Sequence, residues 1–132
     1  MTAATWTFQS ARELFHTRGF SLDVLIHRLP DDGIEAGFVA PHTLETSAIV
    51  DTGASDVCVD HRIIHALRLP LIDQTTIQTV GGIVEVGVYS GELEVPQLGY
   101  RQAIPLLGPM IRRTLLGRSF LRNFVVTFDG QN

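Results

Sequence analysis

Hydrophobic and polar residues alternate along much of this chain, which is the pattern of β-strands with one buried face. One alternating run covers residues 20–27 and another covers residues 34–38, with the turn sequence Pro30-Asp31-Asp32-Gly33 between them. This arrangement predicts a β-hairpin over residues 20–40. Further alternating runs lie at residues 84–88, 92–95 and 124–129. The pattern therefore predicts a mainly β domain of about six or seven short strands.

The spacing of apolar residues changes to that of a helix in two places. The first is residues 11–18, where Ser10 and Glu13 have the spacing of a capping box. The second is residues 61–68. Each segment carries an apolar stripe, which consists of Ala11, Leu14 and Phe15 in the first and of Ile63, Ile64 and Leu67 in the second.

Composition and charge narrow the classes of function. The chain has 132 residues, of which 45% are hydrophobic and 18% charged, as in an ordinary globular domain. A formal net charge of -4 argues against a nucleic-acid partner, because phosphate binding needs a basic surface. No apolar run approaches the ~20 residues that span a bilayer, and residues 1–10 lack the pattern of a signal peptide. We therefore expect a protein that does not contact membranes. Its single cysteine, Cys58, has no internal disulfide partner, which favours the cytoplasm.

The sharpest chemical feature is the heptapeptide Ile49-Val50-Asp51-Thr52-Gly53-Ala54-Ser55. Its two apolar residues bring a carboxylate out of a strand into a tight turn, where Gly53 allows a close backbone approach that a Cβ would prevent. Thr52 adds a hydroxyl that can be buried once it is hydrogen-bonded. Such a turn holds the Asp51 carboxylate rigidly at a surface that a second carboxylate can approach. An ordinary strand-ending turn also uses Asp and Gly, so the interpretation needs support from other motifs.

The heptapeptide fits the hydrophobic-hydrophobic-Asp-Thr-Gly-Ala/Ser motif of the retropepsin-like aspartic proteases, the single-lobe relatives of pepsin, and the chain resembles that family in two further motifs. One is a glycine-bearing hairpin sequence at residues 79–83, about where the family has its flap. The predicted flap residues are Val80, Gly81, Gly82 and Ile83.

The other motif is Leu115-Leu116-Gly117-Arg118, which matches the family's later hydrophobic-hydrophobic-Gly-Arg element. In the family a short helix and a final strand follow it, and residues 119–123 and 124–129 are similar to these. An earlier Leu106-Leu107-Gly108 also fits the motif, but Pro109 follows it and no strand does. The resemblance covers roughly residues 20–130. It divides the chain into an N-terminal extension, residues 1–19, and a protease-like domain, residues 20–132.

The resemblance implies a closed β-barrel lobe with one or two short helices and a flap hairpin, acting as a symmetric homodimer. It identifies Asp51 as the catalytic residue of an aspartic endopeptidase, supported by Thr52, Gly53 and Ala54. Because this chain has one Asp-Thr-Gly, a second copy has to supply the other aspartate. The chemistry activates a water molecule and needs no metal or other cofactor. The implied partners are a second copy of the chain and an extended peptide or protein substrate.

Two positions depart from the family. Many retroviral members carry an acidic residue where Ser55 stands, paired with the arginine of the Gly-Arg element, so Arg118 here needs another partner, such as Asp56. Bacterial and cellular relatives often have Asp where this chain has Ser119. We expect the substrate pockets to be shaped by the residues around Asp56, Cys58, 80–84 and 105–112.

Other interpretations stay open at this point. The fold could serve as a dimeric peptide-binding or scaffold module without proteolysis, or as an inactive monomer that dimerises on a signal. His61 and His65 lie one helical turn apart, as metal ligands can, but a solvated face is the better interpretation since no third ligand is evident. Cys58 lies between two valines and is expected to be a buried small hydrophobic residue rather than a nucleophile.

Overall fold

A computed structural model describes residues 20–30 and 41–127 of the chain. This part is mainly β, with two short α-helices and a single-turn 3₁₀ helix. The predicted helix at residues 11–18 and the predicted strand at residues 34–38 lie outside the described residues. The elements are β1 (Ser21–His27), β2 (Thr43–Val50), α1 (His61–Leu67), β3 (Leu71–Thr79), β4 (Gly82–Val95), the 3₁₀ helix (Pro96–Leu98), β5 (Tyr100–Gly108), β6 (Thr114–Leu116) and α2 (Arg118–Leu121).

The strands form a mixed sheet in the order β3-β4-β1-β2-β6, with β5 pairing on β4. Most neighbours are antiparallel, but β2 and β6 are parallel, with Val50 opposite Leu116. The 14-residue strand β4 pairs with β3 through its first half and with β5 through its second half. As a result the β3–β4 hairpin extends away from the rest of the sheet. We call this hairpin the arm.

The expected closed barrel is not formed by these strands. The sheet stays open, because β5 and β6 do not pair with each other in the described part of the chain. Cys58 lies between them and forms single β-bridges to Leu107 of β5 and Leu115 of β6. Its neighbours Val57 and Val59 hydrogen-bond Leu107 through backbone distances of 3.0 and 2.8 Å. An irregular segment therefore occupies the position that a barrel strand would fill.

Several local predictions are confirmed. Alternation at residues 20–27 corresponds to β1, and the amphipathic helix at residues 61–68 corresponds to α1, with Ile63, Ile64 and Leu67 buried. The two runs at 84–88 and 92–95 belong to the single strand β4. They are separated by Gly91, where a Cβ would lie 2.7 Å from the Leu106 side chain.

The strand predicted at residues 124–129 is wrong for residues 124–127, and the rest of it lies outside the described residues. A strand needs a hydrogen-bonded neighbour, and no strand among residues 20–30 and 41–127 pairs with these residues. Phe124 instead continues the last turn of α2, with its N–H donating to Leu121 O at 3.0 Å. Val125 beyond it is 91% exposed.

The main hydrophobic core lies between the sheet and the two helices. It includes the fully buried side chains of Val24, Ile26, Leu67, Leu93 and Phe120. Helix α1 begins at Asp60, whose carboxylate accepts from Arg62 N at 2.9 Å and caps the helix. No helix within the described residues is long and apolar enough to cross a membrane.

Candidate active site

Asp51 immediately follows β2, at the point where this strand meets β6. The Asp51 N–H donates to Leu116 O at 3.1 Å, so the parallel pairing of the two strands continues to the aspartate itself. Both strands arrive from the core, where Ala48 and Leu116 are fully buried. The backbone of Asp51 is therefore fixed by buried structure, while its side chain is only partly buried.

A tight turn follows Asp51. The Gly53 N–H donates to Asp51 Oδ1 at 2.9 Å, and the Ala54 N–H donates to Asp51 O at 3.3 Å. A Cβ on Gly53 would lie 3.1 Å from the same carboxylate oxygen, so a glycine here lets the backbone come close to the Asp51 carboxylate. Thr52 and Gly53 are both exposed. The turn thus orients the carboxylate and leaves the tip of the turn open to solvent.

The Gly-Arg sequence packs directly against this turn. A Cβ on Gly117 would lie 2.3 Å from Asp56 O and 2.7 Å from Ala54 O, so the backbone approach requires a glycine. The N–H groups of Arg118 and Ser119 donate to Ala54 O and Ser55 O, each at 2.9 Å. These contacts join the start of α2 to the segment that follows Asp51.

Arg118 adds a side-chain contact, in which Nη1 donates to Thr52 O at 2.9 Å. Among residues 20–30 and 41–127, no carboxylate lies within ion-pair distance of this guanidinium. The partner suggested from the sequence, Asp56, is therefore not used in this way. Arg118 holds the turn through a backbone carbonyl instead.

Asp51 lies at the side of a cavity of about 910 Å³. Its apolar wall is a second hydrophobic cluster, separate from the main core, in which Cys58, Val86, Val88 and Leu107 are buried. The acidic side chains of Asp56 and Glu85 and the guanidinium of Arg118 also line the cavity. The remaining lining residues are Gly53, Ala54, Ser55, Ile77, Gln78, Thr79, Val84, Gly87, Gly108, Pro109, Met110, Ile111 and Leu115.

The structure brings together most of the residues singled out in the sequence. Asp51, Gly53, Ala54, Leu115 and Arg118 line one cavity. The expected pocket positions Asp56, Cys58, Val84 and 107–111 line it as well. Thr52 lies at the exposed tip of the turn, and Leu116 and Gly117 are buried behind it.

The four predicted flap residues form the tip of the arm and do not line the cavity. Thr79 pairs with Gly82, and Thr79 Oγ1 donates to Gly82 O at 2.9 Å. Gly82 has a φ of 116°, which side-chain-bearing residues rarely adopt. Val80 and Ile83 are largely exposed.

Sequence reasoning missed Ile77, Val86 and Gly87 as lining residues. Ile77 faces Val84 across the arm, and Val86 packs with Cys58 and Leu107. The alternation of Val84, Val86 and Val88 could have indicated this apolar wall, but only the pairing of β4 shows which site it faces.

The alternative glycine motif is on β5, where Leu107 and Gly108 line the same cavity as Asp51. Leu106-Leu107-Gly108 ends β5, and Leu107 reaches Cys58 rather than the aspartate turn. Leu115-Leu116-Gly117 is the motif that pairs with β2 and contacts residues 54–56. The second motif is therefore the one that packs against the aspartate turn.

Cys58 and the two histidines take ordinary structural roles. Burial, with smaller contributions from Asp56 and Asp51, raises the pKa of the Cys58 thiol to about 11, so it is protonated and a poor nucleophile at neutral pH. His61 Nδ1 lies 2.9 Å from Ile111 O, and His65 is exposed. No group of three or more His, Cys, Asp and Glu side chains in the described part of the chain could hold a metal ion.

Comparison with protein families gives a match over residues 41–120 to a model described as aspartyl protease. The match covers more than half of the chain and runs from just before β2 into α2. The chain belongs to the aspartyl protease family. A search of curated proteins found no match.

The family match includes both sides of the site just described. It contains the Asp51 turn and the Gly117-Arg118 sequence that packs on it, as well as the whole arm. Membership in the aspartyl protease family supports a protease-like function for this site. The match leaves out residues 1–40, which include β1.

Proposed function

We propose that the protein is an aspartic endopeptidase that works as a symmetric homodimer, with Asp51 of each subunit forming a catalytic pair. The observation that carries this proposal is the position of Asp51. Its backbone is fixed by β6, its carboxylate is oriented by the next turn, and it borders a large cavity. Such a group is rigid and accessible, as a catalytic carboxylate has to be.

A dimer is required by the chemistry, since the chain has one Asp-Thr-Gly sequence. The exposed tip of the turn, Thr52 and Gly53, supports this step because it leaves room for the same turn of a second copy to approach. An isologous two-fold contact would place the two turns against each other. The Thr52 hydroxyl would then hydrogen-bond across the axis, beneath the carboxylates.

The paired carboxylates would share one proton, because two like charges a few ångströms apart cannot both ionise at low cost. Sharing of this kind is the established behaviour of aspartic proteases, and it gives the two carboxylates different roles. The ionised Asp51 takes a proton from water as the water oxygen attacks the peptide carbonyl carbon. The protonated Asp51 of the other subunit polarises the carbonyl oxygen. Collapse of the tetrahedral intermediate breaks the C–N bond as a proton passes to the leaving amine.

The cavity and the arm suggest how a substrate is held. The apolar wall around Val86 and Leu107 suits apolar side chains of an extended peptide. In this proposal the tip of the arm, residues 80–83, acts as a flap that closes over the peptide and excludes water. The peptide would bind as an added strand through its main chain. We place this reaction in the cytoplasm, in keeping with the single unpaired cysteine.

The test is a comparison of the wild type, Asp51→Asn and Asp56→Asn on a diverse peptide library, at several pH values and protein concentrations. Asp56→Asn is the matched control, since it removes another carboxylate that lines the same cavity. We expect Asp51→Asn to reduce cleavage by about 10³-fold or more. Asp56→Asn should retain catalysis and change only which peptides are cut.

Wild-type cleavage should also rise faster than linearly with enzyme concentration in the range where the dimer forms. Cleavage that persists in Asp51→Asn would rule out the mechanism. If the wild type is dimeric but cuts no peptide, and the two variants cut none either, the peptide-binding module becomes the better interpretation.

A further inference from the structure

One wall of the Asp51 cavity is built from an irregular segment, residues 109–113, which joins β5 to β6. Pro109, Met110 and Ile111 all line the cavity. Met110 is 85% exposed, so its side chain is available to a bound peptide. The segment lies within the described part of the chain and forms no strand there. Its position therefore has to be fixed by contacts other than those of a β-sheet.

Helix α1 supplies such contacts from its first residue. The His61 N–H donates to Ile111 O at 3.1 Å, and His61 Nδ1 lies 2.9 Å from the same oxygen. Because a carbonyl oxygen only accepts hydrogen bonds, Nδ1 is the ring nitrogen that carries the hydrogen in this contact. The two donors use the two lone pairs of one carbonyl. His61 thus holds the middle of the segment both by its backbone and by its side chain.

The residues on either side of His61 bind the same region. The Arg62 guanidinium donates to Arg112 O at the long distance of 3.5 Å, and the Asp60 N–H donates to Thr114 Oγ1 at 3.2 Å. Among the described residues, His61 and Arg62 provide the hydrogen bonds that reach the carbonyls of this segment from outside it. The segment is therefore tied to α1 at its middle, and the start of β6 is tied to α1 as well.

Helix α1 is itself held firmly. Ile63, Ile64 and Leu67 are buried in the main core. The Asp60 carboxylate caps the helix and also pairs with the Arg62 guanidinium, with Oδ2 2.6 Å from Nη2. The start of the helix is thus fixed, and a hydrogen-bond donor placed there has a defined position. A path of direct contacts runs from the core through α1 to the cavity wall.

The aspartate turn is held by other contacts. Its backbone hydrogen bonds to the rest of the fold involve Leu116, Arg118 and Ser119, which belong to β6 and α2. None of these bonds, within the part of the chain that the structure describes, comes from α1. A change at the side chain of His61 should therefore loosen the cavity wall and leave the Asp51 carboxylate in place.

We propose that His61 is a positioning residue for peptide binding, which acts through Ile111 to hold the cavity wall at residues 109–111. The inference rests on the proposed function, in which the cavity binds a peptide beside Asp51. A wall that moves freely has to be ordered each time a peptide binds, and that cost weakens binding. His61 therefore contributes to the affinity for the peptide and not to the chemical step.

Three substitutions in the full chain test this role. His61→Ala removes the side-chain donor and keeps the backbone N–H. His61→Asn places an amide nitrogen on Cγ, where histidine has Nδ1, so it can donate to the same carbonyl. His65→Ala is the matched control, since His65 is exposed about one turn further along α1. For each protein, kcat and KM are measured on the peptide that the wild type cuts best, at a concentration where the protein is dimeric.

We expect His61→Ala to raise KM roughly fivefold, the scale of one hydrogen bond, with kcat unchanged. His61→Asn should restore most of the wild-type KM, and His65→Ala should match the wild type. A lower kcat without a change in KM would overturn the proposal, as would an unchanged KM in His61→Ala. So would a His61→Asn protein as impaired as His61→Ala, because the side-chain donor would then not be the cause.

Hydrogen exchange tests the positioning step without proteolysis. In His61→Ala the amides of residues 110–113 should exchange roughly fivefold faster while those of residues 51–56 stay unchanged, and His61→Asn should reverse the change. Unchanged exchange at residues 110–113 would contradict the proposal. Faster exchange throughout the chain would do so too, since it indicates a general loss of stability. A wild type that cuts no peptide would count against the proposed function, and the exchange rates would still decide whether His61 holds the wall.

Discussion

The aspartate turn and the arm border the same cavity but are built in opposite ways. The turn is held by a backbone hydrogen bond to the Leu116 carbonyl and by two from the N–H groups of Arg118 and Ser119, and its backbone leaves no room for a Cβ on Gly117. Eight of the nine residues of β3, in the arm, are exposed. Local stability follows burial and protected hydrogen bonds, so the turn should open only with the whole fold and the arm at lower cost.

This difference suits the tasks that we propose for the two regions, a catalytic carboxylate in the turn and a flap at the tip of the arm. A catalytic carboxylate needs fixed geometry, because small displacements of a reacting group greatly reduce the rate. A flap has to open for the substrate and close over it. Substitutions placed in one region or the other should therefore separate effects on folding from effects on substrate binding.

The largest effect is expected from matched glycine-to-alanine substitutions in the two regions. In Gly117→Ala the new Cβ meets the backbone of Asp56 and Ala54, which cannot move aside cheaply. We expect a loss of about 3 kcal/mol or more in the free energy of unfolding. In Gly81→Ala the nearest atom is Thr79 Oγ1 at 3.8 Å, and the loss should stay within about 0.5 kcal/mol.

Urea unfolding at one fixed protein concentration measures both values, since dimerisation would otherwise change the apparent stability. Equal destabilisation by the two substitutions would show that the turn and the arm are equally constrained, against the comparison made above.

A smaller effect is expected at Arg118, whose side chain donates to Thr52 O. Arg118→Gln and Arg118→Lys remove this geometry but leave the backbone contacts of α2 in place. Because the side chain is exposed, the loss of stability should be about 1 kcal/mol. Looser positioning of the turn should lower kcat roughly tenfold with little change in KM.

Arg101→Gln is the control for this prediction, since Arg101 is an exposed arginine that pairs with Glu92 on the surface of the sheet. It should leave kcat unchanged. If Arg118→Gln raises KM alone, the residue contacts substrate rather than positioning the turn.

Sequence alone predicted the elements whose pattern is local. β1 and α1 follow from alternation and from helical spacing, and the Asp51 turn follows from two apolar residues before an Asp-Thr-Gly. β3 gave no such signal, because a strand exposed on both faces has no reason to alternate. Of the two strands of the arm, β3 was therefore missed, whereas β4 was predicted from the alternation at residues 84–88 and the tip from its glycines.

Features that depend on contacts between distant parts of the chain could not be predicted from local sequence patterns. The parallel pairing of β2 with β6 joins residues far apart in the chain, and the sequence offered only the match of residues 115–118 to a family motif as a reason to connect Leu116 with Asp51. The expected barrel is interrupted at Cys58. The segment around Cys58 lies in space between β5 and β6, where it forms single bridges to each and no regular strand. The lack of space for a Cβ at Gly117 likewise could not be predicted from the sequence, since it depends on where the backbone of residues 54–56 lies.

The smallest effect concerns Cys58, which lies in the apolar wall between the turn and the arm. Burial is the main cause that raises the pKa of its thiol from the ordinary value of 9.0 to about 11. The protonated thiol is thus favoured in the folded state, and this contribution to stability is fully present below pH 9. Between pH 9 and about 11 the unfolded chain ionises first, so stability should fall as the pH rises. At neutral pH the thiol is protonated in both states, so no change of stability with pH is expected there.

Alkylation by iodoacetamide measures the same difference by its rate. The native Cys58 should react far more slowly than the thiol of Thr76→Cys, an exposed site on β3, when each is compared at about pH 8. Background from Cys58 is removed in the second protein with Cys58→Ala. Comparable rates for the two thiols would mean that the wall opens as readily as the arm, and the contrast between a fixed turn and a mobile arm would then apply only to residues 51–56.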